Sequence, residues 1–206
     1  MTDRTVRLSS PKLPSVNVRE VLRYMGVTGD ADEAVLALLN SCLEEAENVF
    51  TPRVCYREQE ICREGDAIAL GFARVQSASL SKNLDGCEGI VLFAATVGLG
   101  IDRVIATYTR TSPARAVCMQ AVGAERIEAL CDTFCKDLQA TYAKNGKVLR
   151  PRFSPGYGDL PLELQKDIFN ALDCPKRIGL TLNDSMLMSP TKSVTAIVGL
   201  KERDTL

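Results

Sequence analysis

The sequence predicts an α+β fold in which helices pack on an antiparallel or mixed sheet. Three observations lead there. Apolar residues recur at helical spacing in capped segments, and shorter runs between them, alternating or continuously apolar, read as strands. The two kinds of element also follow one another without the regular β-α-β alternation of a doubly wound fold. At 206 residues the chain can bury most of its apolar surface. No repeat, low-complexity tract or linker divides it. The reading is one domain over 1–206, with an N-terminal helical part at 15–50 and a core and ligand-binding part at 51–201.

"SVNVREVLRYMG" forms a short helix, with Asn17 at the N-cap, Glu20 completing a capping box and Gly26 as the stop. "GDADEAVLALLNSCLEEAENVFTP" is a longer helix with the same signature in Asp30 and Glu33. Its apolar stripe runs through Val35, Leu38, Leu39, Cys42, Ala46 and Val49, and Pro52 ends it. "RVCYREQEICR" is mostly polar and reads as an edge strand, while "AIALGF" alternates large with small residues, as a strand packed on one face does. "SASLSKNL" is a helical turn or short helix. "GIVLFAATVG" is continuously apolar, the mark of a strand buried on both sides. The longest helix starts with Ser112 as its cap and Pro113 at the first helical position, and Asn145-Gly146 ends it. A helix in "LPLELQKDIFNALD", a short strand in "RIGLTL" and a last strand in "SVTAIVGL" complete the chain.

Composition narrows the function. A formal charge of −1 excludes a general nucleic-acid binder, which needs a basic excess. The N-terminus "MTDRTVRLSSPKLP" is polar, and the longest uncharged apolar run, Gly89 to Ile101, is too short to cross a membrane. The expected location is the cytoplasm. The eight cysteines lie within apolar patterns with no C-x-x-C pair, so they read as small buried hydrophobes, and no metal ligand is assigned. The chain has no histidine, which excludes imidazole chemistry and every Ser-His or Cys-His nucleophile.

Two segments carry candidate chemistry. In the long helix, steps of four and three link Val117, Ala121, Ala124, Glu128, Cys131 and Cys135, a line of small residues interrupted by one carboxylate. Such a line leaves room for a ligand beside Glu128, or it is an ordinary helix edge from which Glu128 reaches solvent. The stretch "RPRFSPGYGDLP" combines Arg152, a planar fork for a carboxylate or phosphate, with Tyr157, a ring and a hydroxyl. Pro151, Pro155 and Gly156 restrain its backbone. It is a rigid surface turn or a pre-ordered ligand cradle. Arg110, Arg115 and Arg126 read as solvated helix residues, and Asp159 as a turn residue rather than a catalyst.

"RFSPGYGDLP" is similar to the R-x-x-x-G-Y-x-x-x-P signature of the reactivation domain of cobalamin-dependent methionine synthase. "FAATVGLGID", "AERIEALCD" and "TLNDSMLMSPTKSV" follow that family's order of segments, so the resemblance covers roughly residues 88–200, and the length resembles the stand-alone short form. It implies a methionine synthase activation domain-like fold that binds S-adenosylmethionine and offers its methyl group to a corrinoid held by a partner. The partners implied are a corrinoid-binding methionine synthase chain and a flavodoxin-like or other electron donor. Residue by residue it implies Glu128, Arg152, Phe153, Ser154, Pro155, Gly156 and Tyr157 as ligand contacts. No catalytic residue is implied, because reduced cobalt is itself the nucleophile, and little turnover is expected from this chain alone. The sequence departs from the family in three places. No N-terminal acid matches, no carboxylate lies between Leu138 and Pro151, and apolar residues around Val198 replace a ligand tyrosine. The rival readings are a reactivator of another corrinoid methyltransferase and an interaction module that has lost the cofactor.

Overall fold

The computed structural model describes residues 5–203. The N-terminal half contains β1 (Arg7–Ser9), α1 (Val18–Tyr24), α2 (Glu33–Ala46), β2 (Arg53–Glu60), β3 (Cys62–Glu64), β4 (Ala67–Ala69), β5 (Arg74–Gln76), α3 (Ala78–Asn83) and β6 (Cys87–Thr96). Then follow α4 (Gly100–Thr111), α5 (Pro113–Ala143), β7 (Lys147–Leu149), α6 (Leu164–Leu172), α7 (Cys174–Ile178), β8 (Thr181–Leu182), β9 (Met188–Ser189) and β10 (Ser193–Glu202). The main sheet runs β1-β2-β6-β10-β7 and is antiparallel throughout. The α+β architecture read from the sequence is the one observed, with its antiparallel alternative.

Helices cover both faces of this sheet, which is why its two middle strands, β6 and β10, are apolar over most of their length. β6 and β10 pair from Ser193↔Thr96 to Gly199↔Ile90. Val91, Phe93 and Ala95 face α2 and α5, where they pack with Leu39, Cys42, Leu130 and Phe134. Ile90, Leu92, Ala94 and Ile197 turn to the opposite side, against Leu80 of α3, Ile168 of α6 and Ile178 of α7. Substituting alanine for any of the large central residues would cost about 2–5 kcal/mol, because both neighbouring layers are closed over it.

Local expectations fail where a partner distant in sequence decides. β2 is not an edge strand: β1 pairs with its first half, Leu8 opposite Cys55, and β6 with its whole length. Its polar residues are accommodated by the helix layers, Arg57 donating to the Ala171 carbonyl at 2.9 Å. The N-cap of α2 is Asp32, not Asp30, and its carboxylate accepts from the Val35 N–H at 2.7 Å. That helix stops at Ala46, before Pro52. Arg177 and Ile178 belong to α7, so only Thr181–Leu182 of "RIGLTL" is strand. Ser112 does precede α5, but its side chain makes no capping hydrogen bond; the break from α4 rests on its extended φ of −157° and on Pro113, which has no N–H to donate.

Cys42, Cys55, Cys118, Cys131 and Cys174 are buried, whereas Cys87 and Cys135 are half-buried and Cys62 is exposed on the short strand β3. Among the described residues no helix is long and apolar enough to cross a membrane.

A hollow at the open edge of the sheet

The stretch from Arg150 to Pro161 lies along the outer side of β10. Phe153 exchanges both main-chain hydrogen bonds with Ile197, each 2.8 Å, and Arg150 donates to the Gly199 carbonyl. Past Phe153 the chain curls. Gly156, at φ +88°, donates to the Leu160 carbonyl, and Tyr157 donates to the Ser154 carbonyl. The far end is fixed on α3. Asp159 accepts from the Ser77 hydroxyl at 2.5 Å and from the N–H groups of Ala78 and Ser79 at 2.6 and 3.1 Å. Gly158 approaches so closely that a Cβ there would stand 2.6 Å from the Ser79 hydroxyl. The prolines, glycines and Asp159 thus hold a short curl between a strand edge and a helix start. The three donors, the Ser77 hydroxyl first, hold the Asp159 carboxyl well below the usual carboxylate range.

Across from the curl lies α5. Arg152 pairs with Glu128 and, through Nη1 at 3.2 Å, with Asp132 one turn further along the same helix face. Burial works against the Arg152 charge, but the negatively charged Glu128 and Asp132 beside it more than offset burial and push the guanidinium above its ordinary value. Burial pushes the thiols of Cys131 and Cys135 above their ordinary range, so neither is a nucleophile at neutral pH.

Between curl and helix is a hollow of about 400 Å³. Glu128, Arg152, Phe153, Ser154, Pro155 and Tyr157 all line it, so the structure brings together every ligand contact implied by the resemblance except Gly156, which shapes the curl from outside the lining. Tyr157 is 68% exposed at the mouth, its ring centroid 6.4 Å from that of Phe153. Sequence reasoning missed Gln165 of α6, Met188 of β9 and the β10 residues Ser193, Val194 and Thr195, which complete the wall. A polar Gln165 between the apolar Leu164 and Ile168 was a legible signal for the first. Asp132 was legible too, four residues after Glu128. The β10 residues gave no signal, because only the sheet order leaves that strand edge uncovered. Val198, where the resemblance looked for a ligand tyrosine, lines a separate hollow with Cys135, Leu149 and Pro151.

Arg126 corrects the sequence reading. It is 4% exposed rather than solvated, and its guanidinium grips Glu125 and the carbonyls of Pro14 and Ser15. Glu125 in turn accepts from the Asn17 N–H at 3.0 Å. The Glu20 carboxylate is taken by Arg23 rather than by the capping-box bond to Asn17. The N-terminal segment is thereby strapped to α5 beside Glu128.

Fold and hollow together define an α+β domain with an open cleft between a long helix and the uncovered edge of an antiparallel sheet. The chain belongs to the family described as the activation domain of vitamin B12 dependent methionine synthase, whose model matches residues 75–204. Among solved structures it resembles "Crystal Structure of the MetH Reactivation Domain bound to AdoHcy", at a TM-score of 0.71 and 17% identity, covering 98% of this chain and 80% of that one. That likeness extends to the fold. No curated protein matches the chain.

Proposed function

We propose that the hollow binds S-adenosylmethionine and that the domain supports reductive methylation of the corrinoid of cobalamin-dependent methionine synthase. The observation that carries this reading is the meeting of Arg152 and Glu128 in one hollow, with Asp132 paired to Arg152 beside it. Guanidinium and carboxylates side by side suit a zwitterionic amino-acid head. Its carboxylate takes the Arg152 fork and its ammonium takes the acids that Arg152 releases. A volume of about 400 Å³ lies within the range of small-molecule sites, roughly 300–1,000 Å³. The family membership supports the choice of ligand, as does the S-adenosylhomocysteine bound to the similar reactivation domain.

When bound, S-adenosylmethionine supplies a sulfonium methyl to the reduced cobalt of a corrinoid carried by a partner chain, with the electron coming from a flavodoxin-like or other donor. The work of this chain is positional. Arg152 and its acids fix the head group, the curl from Phe153 to Tyr157 forms one wall, and the open mouth beside Tyr157 leaves the methyl reachable from outside. Holding two reactants in line is worth several kcal/mol of barrier and calls for no general base, in keeping with a chain that has no histidine.

Calorimetry with S-adenosylmethionine tests the reading. Binding is expected for the wild type, weakened by about 1.5–3 kcal/mol in Arg152→Ala as a charge-assisted hydrogen bond is lost. Absence of heat with both proteins would overturn it and favour an interaction module without cofactor.

A further inference from the structure

Arg152 stands between two hollows. On one side it lines the ligand hollow together with Glu128. On the other it lines the separate hollow of Cys135, Leu149 and Val198, and there Asp132 stands beside it. The two acids of α5 that share this arginine are thus unequal. Glu128 borders the space assigned to the head group, and Asp132, four residues on, does not.

Both ends of the guanidinium are engaged. Nη2 donates to Glu128, and Nη1 meets Asp132 at 3.2 Å. The Nη1 contact is an ion pair without a hydrogen bond, and Nη1 is closed to solvent. A carboxylate is gripped best by two parallel donors of the fork. One entering the hollow must therefore draw Arg152 away from at least one acid. What the acids gain in exchange differs. Glu128 is in place to meet an incoming ammonium. Asp132 meets no part of the ligand. Its charge holds Arg152 on the far side and also repels the entering carboxylate. Among the described residues Asp132 has no ion pair other than Arg152.

We infer that Asp132 is a specificity-determining residue that competes with the ligand for Arg152 and so weakens the preference for a head group bearing a carboxylate beside its ammonium. This rests on the S-adenosylmethionine reading and deepens it. A ligand with an ammonium alone asks only for Glu128. When Glu128 turns to it, Asp132 still neutralises Arg152, and such a ligand is tolerated. A zwitterionic ligand has to break the Asp132 pair before the fork can take its carboxylate. The same acid thus assists one ligand and opposes the other.

The probes are S-adenosylhomocysteine, which transfers no methyl group, and its decarboxylated counterpart, the same thioether with an aminopropyl arm. Calorimetry measures both on the full chain, on Asp132→Asn and on Asp132→Glu. In Asp132→Asn the affinity for S-adenosylhomocysteine is expected to rise about threefold, the scale of one exposed ion pair, while the decarboxylated ligand gains nothing. The gain should be largest in dilute buffer and fade in roughly 0.5 M salt, because the pair it removes is partly exposed and screened. Asp132→Glu keeps the charge and should keep the wild-type ratio of the two affinities. A merely structural role would change both ligands alike and would not follow salt. That pattern, or an unchanged or weakened affinity of Asp132→Asn for S-adenosylhomocysteine, overturns the inference while leaving the ligand assignment intact. Failure of the wild type to bind S-adenosylhomocysteine would instead remove the ligand assignment itself, and the role of Asp132 with it.

Discussion

Glu125 and Arg126 sit one turn before Glu128 on α5, and each carboxylate meets an arginine, yet the two pairings are built differently. The first is sealed, with both residues about 95% buried. Two bonds join them, and every remaining arginine donor but one goes to the carbonyls of Pro14 and Ser15. The second is open. The side chains of Arg152, Glu128 and Asp132 are 28%, 43% and 63% exposed, and Arg152 Nη1 meets Asp132 as an ion pair without a hydrogen bond. The same chemistry serves as a strap where both side chains are sealed and nearly every partner comes from the protein, and as an available site where the carboxylates stay open to solvent.

The contrast can be broken experimentally. The largest effect is expected from Arg126→Ala. It leaves the Glu125 carboxylate buried with one N–H donor, a loss of about 3–5 kcal/mol that a urea or guanidinium melt would register. An unchanged midpoint would mean that the strap contributes nothing. Next comes Arg152→Ala, whose loss should fall on ligand affinity as set out above, with folding stability altered by less than about 1 kcal/mol because its acids remain hydrated. A melt as damaged as that of Arg126→Ala would erase the distinction between the two pairs.

Asp159 sharpens the same distinction for the curl. Its folded carboxyl titrates below the unfolded value near 3.8. A depressed carboxylate contributes stability that is present above the unfolded value and lost as pH falls through the folded one. Melting temperature followed from pH 5 down to pH 2 should therefore drop more steeply for the wild type than for Asp159→Asn. Parallel curves would show that the curl does not depend on this anchor. The smallest effect is expected from Asp132→Asn: an exposed acid, second in line behind Glu128, should shift stability by no more than about 0.5 kcal/mol in the same melts.

Legibility followed the range of the forces involved. The curl from Arg150 to Pro161 was readable because proline and glycine act on their own backbone angles, and Gly156 at φ +88° and Gly158 at +55° bear this out. Glu128 stood out because helix periodicity places its neighbours from the local sequence. Arg126 was misread for want of the same locality. An arginine on a helix is ordinarily solvated, and only the N-terminal segment crossing α5 some 110 residues away in the chain buries this one. β2 was misplaced because a polar strand looks like an edge until β1, short and equally polar, is known to pair with it.

By itself the sequence determined the larger elements, the α1 cap at Asn17 and the residues of the curl, since these depend on groups a few positions apart. Only the tertiary structure decided which faces were covered and which were left open. The hollow exists because β7 and the curl stop pairing with β10 beyond Phe153 while α5 and α6 approach from either side, and no local pattern records where one strand lacks a neighbour. Pairing and burial are properties of segments that meet, and they become visible only once the chain has folded.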